Sequence, residues 1–456
     1  MSKLKEKAKS LKQKLNNCSD IIVKEVSDGI YIYIDGISDI KTIDFNVICK
    51  DIEHSVGEVV LANDEDQMIH ALLQGKTIKL TQSSSYIFNT TKYQERSITE
   101  PPTSVVIKGP REGFVESVKV NAGLIRKRLI TKNLVFEDFV IGRETKTSIK
   151  VVYLKNIADM KVINILKERL KSIDIDGIID SYYIKTFISD KPNSLFKQVG
   201  QSEKPDVVCA KLLEGRVAIV VDGSPIVLTV PFMLVEDLQS SNDYYSGSVR
   251  ATCERVLRLV GVFISIFVPG IYISLMLYHY EIIPIKFLVT IVNTTQNLPL
   301  SPFLELLFIL LLFEVLFEAT IRMPKYLGVA VSIVGALILG DTAVKAGLVS
   351  PPGVMVVAIS CITIFTLPDE SDVISVLRLI FTFLGGILGL QGVLAGAVVL
   401  ISYLCNHYSF GTPYLSPYVP FIKEDQKDFL IKKNITKLIT RPKTLAKKNK
   451  RRLNRE

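Results

Sequence analysis

The chain is 456 residues long, 48% hydrophobic and 22% charged, with a net charge of +9. That length allows two or three domains, and the apolar content is high for a chain bathed only in water. Six scattered cysteines without a CxxC pair and four distant histidines speak against a disulfide scaffold or a metal module. They fit small buried thiols in a reducing compartment.

The charge is uneven. Residues 1–15 carry six lysines against Glu6, a net +5, and residues 427–456 carry twelve Lys/Arg against Asp428 and Glu456, a net +10. Basic ends beside apolar spans read as cytoplasmic segments held to anionic lipid. Nothing resembles a nucleic-acid recognition module, so no such partner is expected. The N-terminus has no apolar signal-peptide core. The segments read, in order, as a basic N-terminal stretch (1–17), a first α/β subdomain (18–120), a second (130–240), a helical membrane domain (250–405) and a basic cytoplasmic tail (406–456).

The two α/β segments share a pattern. Tyr33, Ile37, Asp39 and Lys41 recur at the same offsets as Tyr153, Ile157, Asp159 and Lys161. In each copy an apolar run leads through a polar turn into a helix-like segment, 42–55 and 160–172. Leu72-Leu-Gln-Gly-Lys-Thr-Ile78 then parallels Leu212-Leu-Glu-Gly-Arg-Val-Ala218, each a helix stopped by glycine before a strand. The unequal spacing puts an insertion within 173–207 of the second copy. These features predict two related subdomains by internal duplication.

Neither copy carries enzyme machinery: there is no GxGxxG, no P-loop and no GxSxG. No catalytic residue, metal or cofactor is expected. Asp174, Asp176 and Asp180 read as a solvated acidic turn, since Gly177 is misplaced for a calcium loop. Asp222-Gly223 between two apolar runs is a hairpin signal. A buried active-site role for Asp222 is the distant alternative.

Beyond Arg255 the chain turns apolar. Residues 256–278 form a first candidate span, interrupted by Pro269-Gly270. Residues 285–291 are too short to cross and read as interfacial or re-entrant. Residues 303–320 carry Glu305, Glu314 and Glu318; carboxylates at membrane depth face a partner helix, water or an ion route. Glu318 also has Arg322 at i,i+4 as a local partner. Glu314 points to a functional or inter-subunit role. Residues 327–348 are rich in Gly, Ala and Ser, which suits close packing or a pore wall. Asp341 and Lys345 should pair near one end. Residues 353–367 are short for a span, and 374–404 make the last one. Five candidates would leave the two basic ends on opposite sides, so either 303–320 or 353–367 should not cross. The expected fold is therefore an α/β soluble N-terminal region of two related subdomains followed by an all-α polytopic transmembrane domain.

These segments together resemble the A subunit of the GerA-type nutrient germinant receptors of endospore-forming bacteria. The resemblance rests on Gly109-Pro-Arg-Glu-Gly-Phe-Val-Glu-Ser117 with Asn121, Leu124, Ile125 and Arg126. It continues in Leu212-Leu-Glu-Gly-Arg-Val-Ala-Ile-Val-Val-Asp-Gly-Ser-Pro225 and in Gln239-Ser-Ser-Asn-Asp-Tyr-Tyr245. In the apolar half it covers residues 299–324, 334–351 and Gly411-Thr-Pro-Tyr-Leu-Ser-Pro417. Phe317 stands where the family pattern has Arg, Thr320 departs similarly, and Gly113 stands where Ser is common.

The resemblance implies a multi-pass protein of the spore inner membrane that works with a permease-like B subunit and a lipoprotein C subunit. It implies a homo-oligomer forming a nutrient-gated path for monovalent cations, whose release triggers germination. On that reading the pore wall would be Val331, Val334, Ile338 and Asp341, with Glu314 on the ion path. Gly109, Pro110, Arg111 and Glu112 would form either an inter-subunit contact or a junction turn satisfied within the chain. A non-conducting scaffold that clusters receptor subunits, or a secondary transporter, are the alternatives.

Overall fold

The computed structural model describes residues 2–39, 43, 60–62, 64–82, 84–92, 108–296, 298–323, 335 and 341–453. The chain divides into two compact units. One comprises Met1–Glu236, Ser241–Ser248 and His407–Glu456, the other Asp237–Ser240 and Val249–Asn406.

The first unit opens with α1 (Ser2–Lys14), then β1 (Ile21–Val26), β2 (Gly29–Ile34), β3 (Val60–Leu61), α2 (Glu65–Leu73), β4 (Thr77–Leu80) and β5 (Ser85–Phe88). It continues with α3 (Val118–Arg128), β6 (Leu134–Ile141), β7 (Thr147–Leu154), α4 (Met160–Lys171), α5 (Ser181–Ile188), β8 (Gly200–Ser202), α6 (Pro205–Glu214), β9 (Val217–Val221), β10 (Val227–Val230) and α7 (Ser241–Tyr245). The two sheets have orders β1-β2-β4-β5-β3 and β6-β7-β9-β10-β8. Both follow one rule: first strand, second, fourth, fifth, third. The segments matched in the sequence fall at equivalent places. Tyr33 and Tyr153 lie near the ends of β2 and β7, and the two Leu-Leu-x-Gly runs join α2 to β4 and α6 to β9. The longer second copy holds α5 within 173–207.

Strand alternation decides what each face covers. In β9, Val217, Ile219 and Val221 join one core while Ala218 and Val220 join another. All five are buried, as expected of a strand covered on both sides. One face packs in a core shared with the first sheet and α4; the other is covered by α3 and α6. Helix ends follow local rules. The Asp159 carboxylate caps α4 by accepting from Lys161 N at 3.0 Å, and Gly215 ends α6 at φ +105°. In α1 the residues Ala8 and Leu11, with Leu15 just beyond, enter the core, so this basic stretch is a structural helix of the unit rather than a free arm.

The tail is folded too. Tyr408–Ser409 (β11) pairs with Thr412–Pro413 (β12). The Ser409 hydroxyl donates to Gln198 O at 2.6 Å and accepts from Phe232 N at 3.0 Å. Phe410 N donates to the Asp190 carboxylate at 2.8 Å, and Arg169 lies over the Phe410 ring. Leu445 and Ala446 are buried.

The second unit is helical: α8 (Ser248–Leu277), α9 (Ile285–Thr295), α10 (Pro302–Arg322), α11 (Pro351–Ile364) and α12 (Ser371–Cys405). Among the described residues, Ser248–Leu277 and Pro368–Cys405 are long and apolar enough to cross a membrane. The second of these corrects the sequence expectation of one continuous last span. Gly389 leaves the helical region at φ +64°, ψ −155°. A Cβ placed on Gly396 would come within 2.6 Å of Leu384 Cδ1 and 3.0 Å of Phe381 Cε1. In a straight helix residues 384 and 396 would be about 18 Å apart, so the second arm folds back toward the first. Glycine alone takes this φ at no steric cost, and the Tyr278 hydroxyl donates to the released carbonyls of Gly386 and Ile387 at 2.9 and 3.1 Å. Gly270 and Gly385 let α8 and α12 touch backbone to backbone, since neither has room for a Cβ.

Candidate functional site

In the first unit, three of the sequence signatures converge. The Asp222-Gly223 turn closes the β9–β10 hairpin, as its sequence predicts. The Asp222 carboxylate accepts from Val118 N at 3.0 Å, capping α3 from a distance, and Gly223 N donates to Glu116 O at 2.7 Å. This pins the end of the 109–117 segment to the hairpin and gives Asp222 a structural role.

At the other end of that segment, Gly109 has φ +118°, and a Cβ there would lie 2.5 Å from the Tyr245 ring. Tyr245 belongs to the third signature and sits three residues before α8 begins. Its hydroxyl donates to Asp206 at 2.7 Å, and burial followed by that carboxylate pushes its pKa up to about 12. Pro110 and the exposed Arg111 lead on to Glu112, which pairs with Arg128 at 2.6 Å and Lys127 at 3.4 Å. Burial would raise the Glu112 carboxyl, but the two cations outweigh it and hold it below its ordinary value. Glu112 is thus satisfied within the chain. Lys204, almost fully buried, lies 3.6 Å from Asp206, and burial lowers its pKa. Close by in sequence, buried Glu236 draws Lys211 to 2.7 Å and Arg216 to 3.2 Å. Burial opposes ionisation of Glu236, yet Arg216 and Lys211 keep its pKa below the ordinary value.

The acidic turn of the second copy divides its labour. Arg143 pairs with Asp174 at 3.6 Å and with Asp176, whereas Asp180 caps α5 by accepting from Tyr182 N at 2.8 Å.

In the helical unit the carboxylates have distinct partners. Glu305, at 3% exposure, accepts from the Ser350 amide at 2.7 Å and its hydroxyl at 2.6 Å. It thereby joins the start of α10 to the N-terminus of α11, and Gly353 leaves the room, since a Cβ there would lie 2.6 Å from Glu305. Glu314 pairs with Arg378 of α12, whose guanidinium also donates to Cys361 Sγ at 3.0 Å. Arg378 is 2% exposed and Glu314 lies at the edge of a small cleft lined by Phe313, Phe317, Phe365 and Ser375. Ser265 and Ser360 exchange hydrogen bonds at 2.7 and 2.9 Å, joining α8 to α11. Glu318 and Arg322, and Asp341 and Lys345, form exposed pairs one turn apart, as their spacing predicts. Val331, Val334 and Ile338 lie outside the described residues.

Sequence reasoning missed Arg378, Ser350, Tyr245 and Arg128 as partners. Ser350 left a signal in the Ser-Pro-Pro start typical of a capped helix, and Tyr245 in its place at the end of the third signature.

A family model described as Bacillus/Clostridium GerA spore germination protein matches residues 9–444. The chain belongs to this family. Among GerA relatives, the Bacillus subtilis spore germination protein KA is 36% identical over 467 residues, covering 96% of this chain and 86% of that one. An uncharacterized membrane protein of the same organism, YfkQ, is 35% identical and covers 98% of this chain and 92% of its own. A crystal structure of the N-terminal domain of the A subunit of the Bacillus megaterium germinant receptor GerK3 aligns at 28% identity. It covers 50% of this chain and 93% of that one, with a TM-score of 0.39.

Proposed function

We propose that this GerA-family chain is the A subunit of a nutrient germinant receptor in the spore inner membrane, and that its helical unit contributes to a gated path for monovalent cations. The observation that carries the membrane reading is the inverted surface of the helical unit. Leu257, Phe263, Val315, Ile387, Leu394 and Val399 are each more than half exposed, while Glu305 and Arg378 are inside. Such a surface is stable in hydrocarbon and costly in water. Two further observations support a polytopic arrangement. The segments on either side of the helical unit, Ser241–Ser248 and His407 onward, belong to one folded unit. A chain that leaves and returns to one body crosses an even number of times. The basic tail favours the cytoplasmic side for that body.

In this reading the chain oligomerises and works with a permease-like B subunit and a lipoprotein C subunit, and it is not an enzyme. Nutrient bound at a partner biases two states of the helical bundle. The small-residue segment with Val331, Val334, Ile338 and Asp341 forms the path wall. Glu314 is neutralised by Arg378, so its charge acts on ions only when that pair opens. The same pairing favours a second reading, a non-conducting scaffold, because it accounts for Glu314 without any conduction.

The deciding experiment expresses the chain with its B and C partners and follows potassium release as nutrients are added. Release that is lost in Val334→Phe and Ile338→Phe proteins of normal abundance supports the path. Normal release from both variants moves conduction to another subunit and leaves the scaffold.

A further inference from the structure

The C-terminal tail is fixed against residues 243–246 of its own unit. Lys432 is buried, and its ammonium donates to Asp243 O and, at 3.2 Å, to Ser246 O. Tyr244 donates to Asp428 at 3.0 Å. Phe429, Leu438, Leu445 and Ala446 anchor the rest. Ser246 lies two residues before α8.

What the anchored tail shows outward is a mixture of two kinds of side chain. Phe421, Ile431 and Ile435 are 68%, 64% and 54% exposed, and Ile439 is also exposed. Between and after them stand exposed Lys433 and Lys437 and the basic run 447–452, which is exposed throughout. Residues 421–452 hold twelve cations against three acids, Glu424, Asp425 and Asp428. Exposed isoleucines gain nothing from water, and clustered cations repel one another. A surface that is both apolar and anionic relieves both at once. We propose that residues 421–452 form a docking surface for the anionic lipid headgroups of the bilayer that the chain's own helices enter. The isoleucines and Phe421 sink to the acyl boundary, and the lysines and arginines pair with headgroup phosphates. The proposal rests on the membrane reading above but not on conduction.

The test is hydrogen–deuterium exchange of the full chain in lipid nanodiscs, phosphatidylcholine alone against phosphatidylcholine mixed with phosphatidylglycerol. The surface predicts several-fold slower exchange in 431–439 and 447–452 in the anionic discs. Protection should fall at high salt and in the K447Q/K448Q/K450Q/R451Q/R452Q variant, while exchange in the β11–β12 hairpin stays unchanged. Equal exchange in the two kinds of disc overturns the proposal. Protection by a DNA duplex without protection by anionic lipid overturns it in favour of a nucleic-acid surface. A chain that does not enter discs at all refutes the membrane reading instead.

Discussion

Replacing Gly109 by alanine should loosen the lock between the 109–112 segment and the residues leading into α8. Two costs add. The backbone sits at φ +118°, and the new Cβ would lie 2.5 Å from the Tyr245 ring. Holding a non-glycine residue there costs on the order of 1–3 kcal/mol. Pushing the ring aside costs about 1–3 kcal/mol more and lengthens the hydrogen bond from Tyr245 to Asp206. Two control positions separate the terms. Gly411 has φ +76° with nothing near its Cβ position, so Gly411→Ala carries strain alone. Gly247 has neither a positive φ nor a neighbour, so Gly247→Ala should change stability by no more than about 0.5 kcal/mol. The readout is amide exchange of residues 241–247 in the full-length protein, where about 1.4 kcal/mol is a tenfold loss of protection. With the two costs summing to about 2–6 kcal/mol, Gly109→Ala should lose between roughly thirtyfold and ten-thousandfold at those amides, with germination response falling alongside. Gly109→Ala behaving like Gly247→Ala would refute the lock.

Glu236→Ala leaves Lys211 without its carboxylate and Arg216 with Glu214 alone in a buried site and should cost about 3–5 kcal/mol, read as a lower urea midpoint of the first unit. Arg378→Gln alone should destabilise the detergent-solubilised protein more than the Arg378→Gln, Glu314→Gln double variant, because the single change strands a carboxylate; equal melting of the two would contradict the pairing. Gly389→Ala forces a side chain into the left-handed region and should straighten or unfold the α12 break, seen as increased protease cleavage near residue 389. Burial, with Lys191 adding and Asp190 opposing, holds the His407 imidazole below its ordinary value. The unfolded chain therefore takes the proton first. Stability from this group is complete above about pH 6.5 and is lost as pH falls toward the folded value. A His407→Gln protein should show a flatter urea midpoint between about pH 7 and 5.

Much of the first unit was legible because its signals are local. The unbroken apolar run Val217–Val221 marked a strand with no polar face, glycine at position 215 marked a helix end, and Asp222-Gly223 marked a hairpin. Recurrence of Tyr, Ile, Asp and Lys at fixed offsets pointed to two related segments; the two described sheets share one strand order, while the expected helix at 42–55 falls outside the described residues apart from Ile43. Pairs one helical turn apart, Glu318 with Arg322 and Asp341 with Lys345, are fixed by the 3.6-residue repeat. The tertiary structure alone decided the rest. Glu314 and Arg378 are 64 residues apart in the chain, and nothing in either neighbourhood marks the other. Gly109 is held by the ring of Tyr245, and Glu305 by the start of a helix 45 residues on. The break at Gly389 was hidden among other glycines, because composition does not distinguish a glycine that packs from one that turns the chain. Periodicity reports which face of an element is apolar; which distant surface covers it is settled only when the whole chain closes.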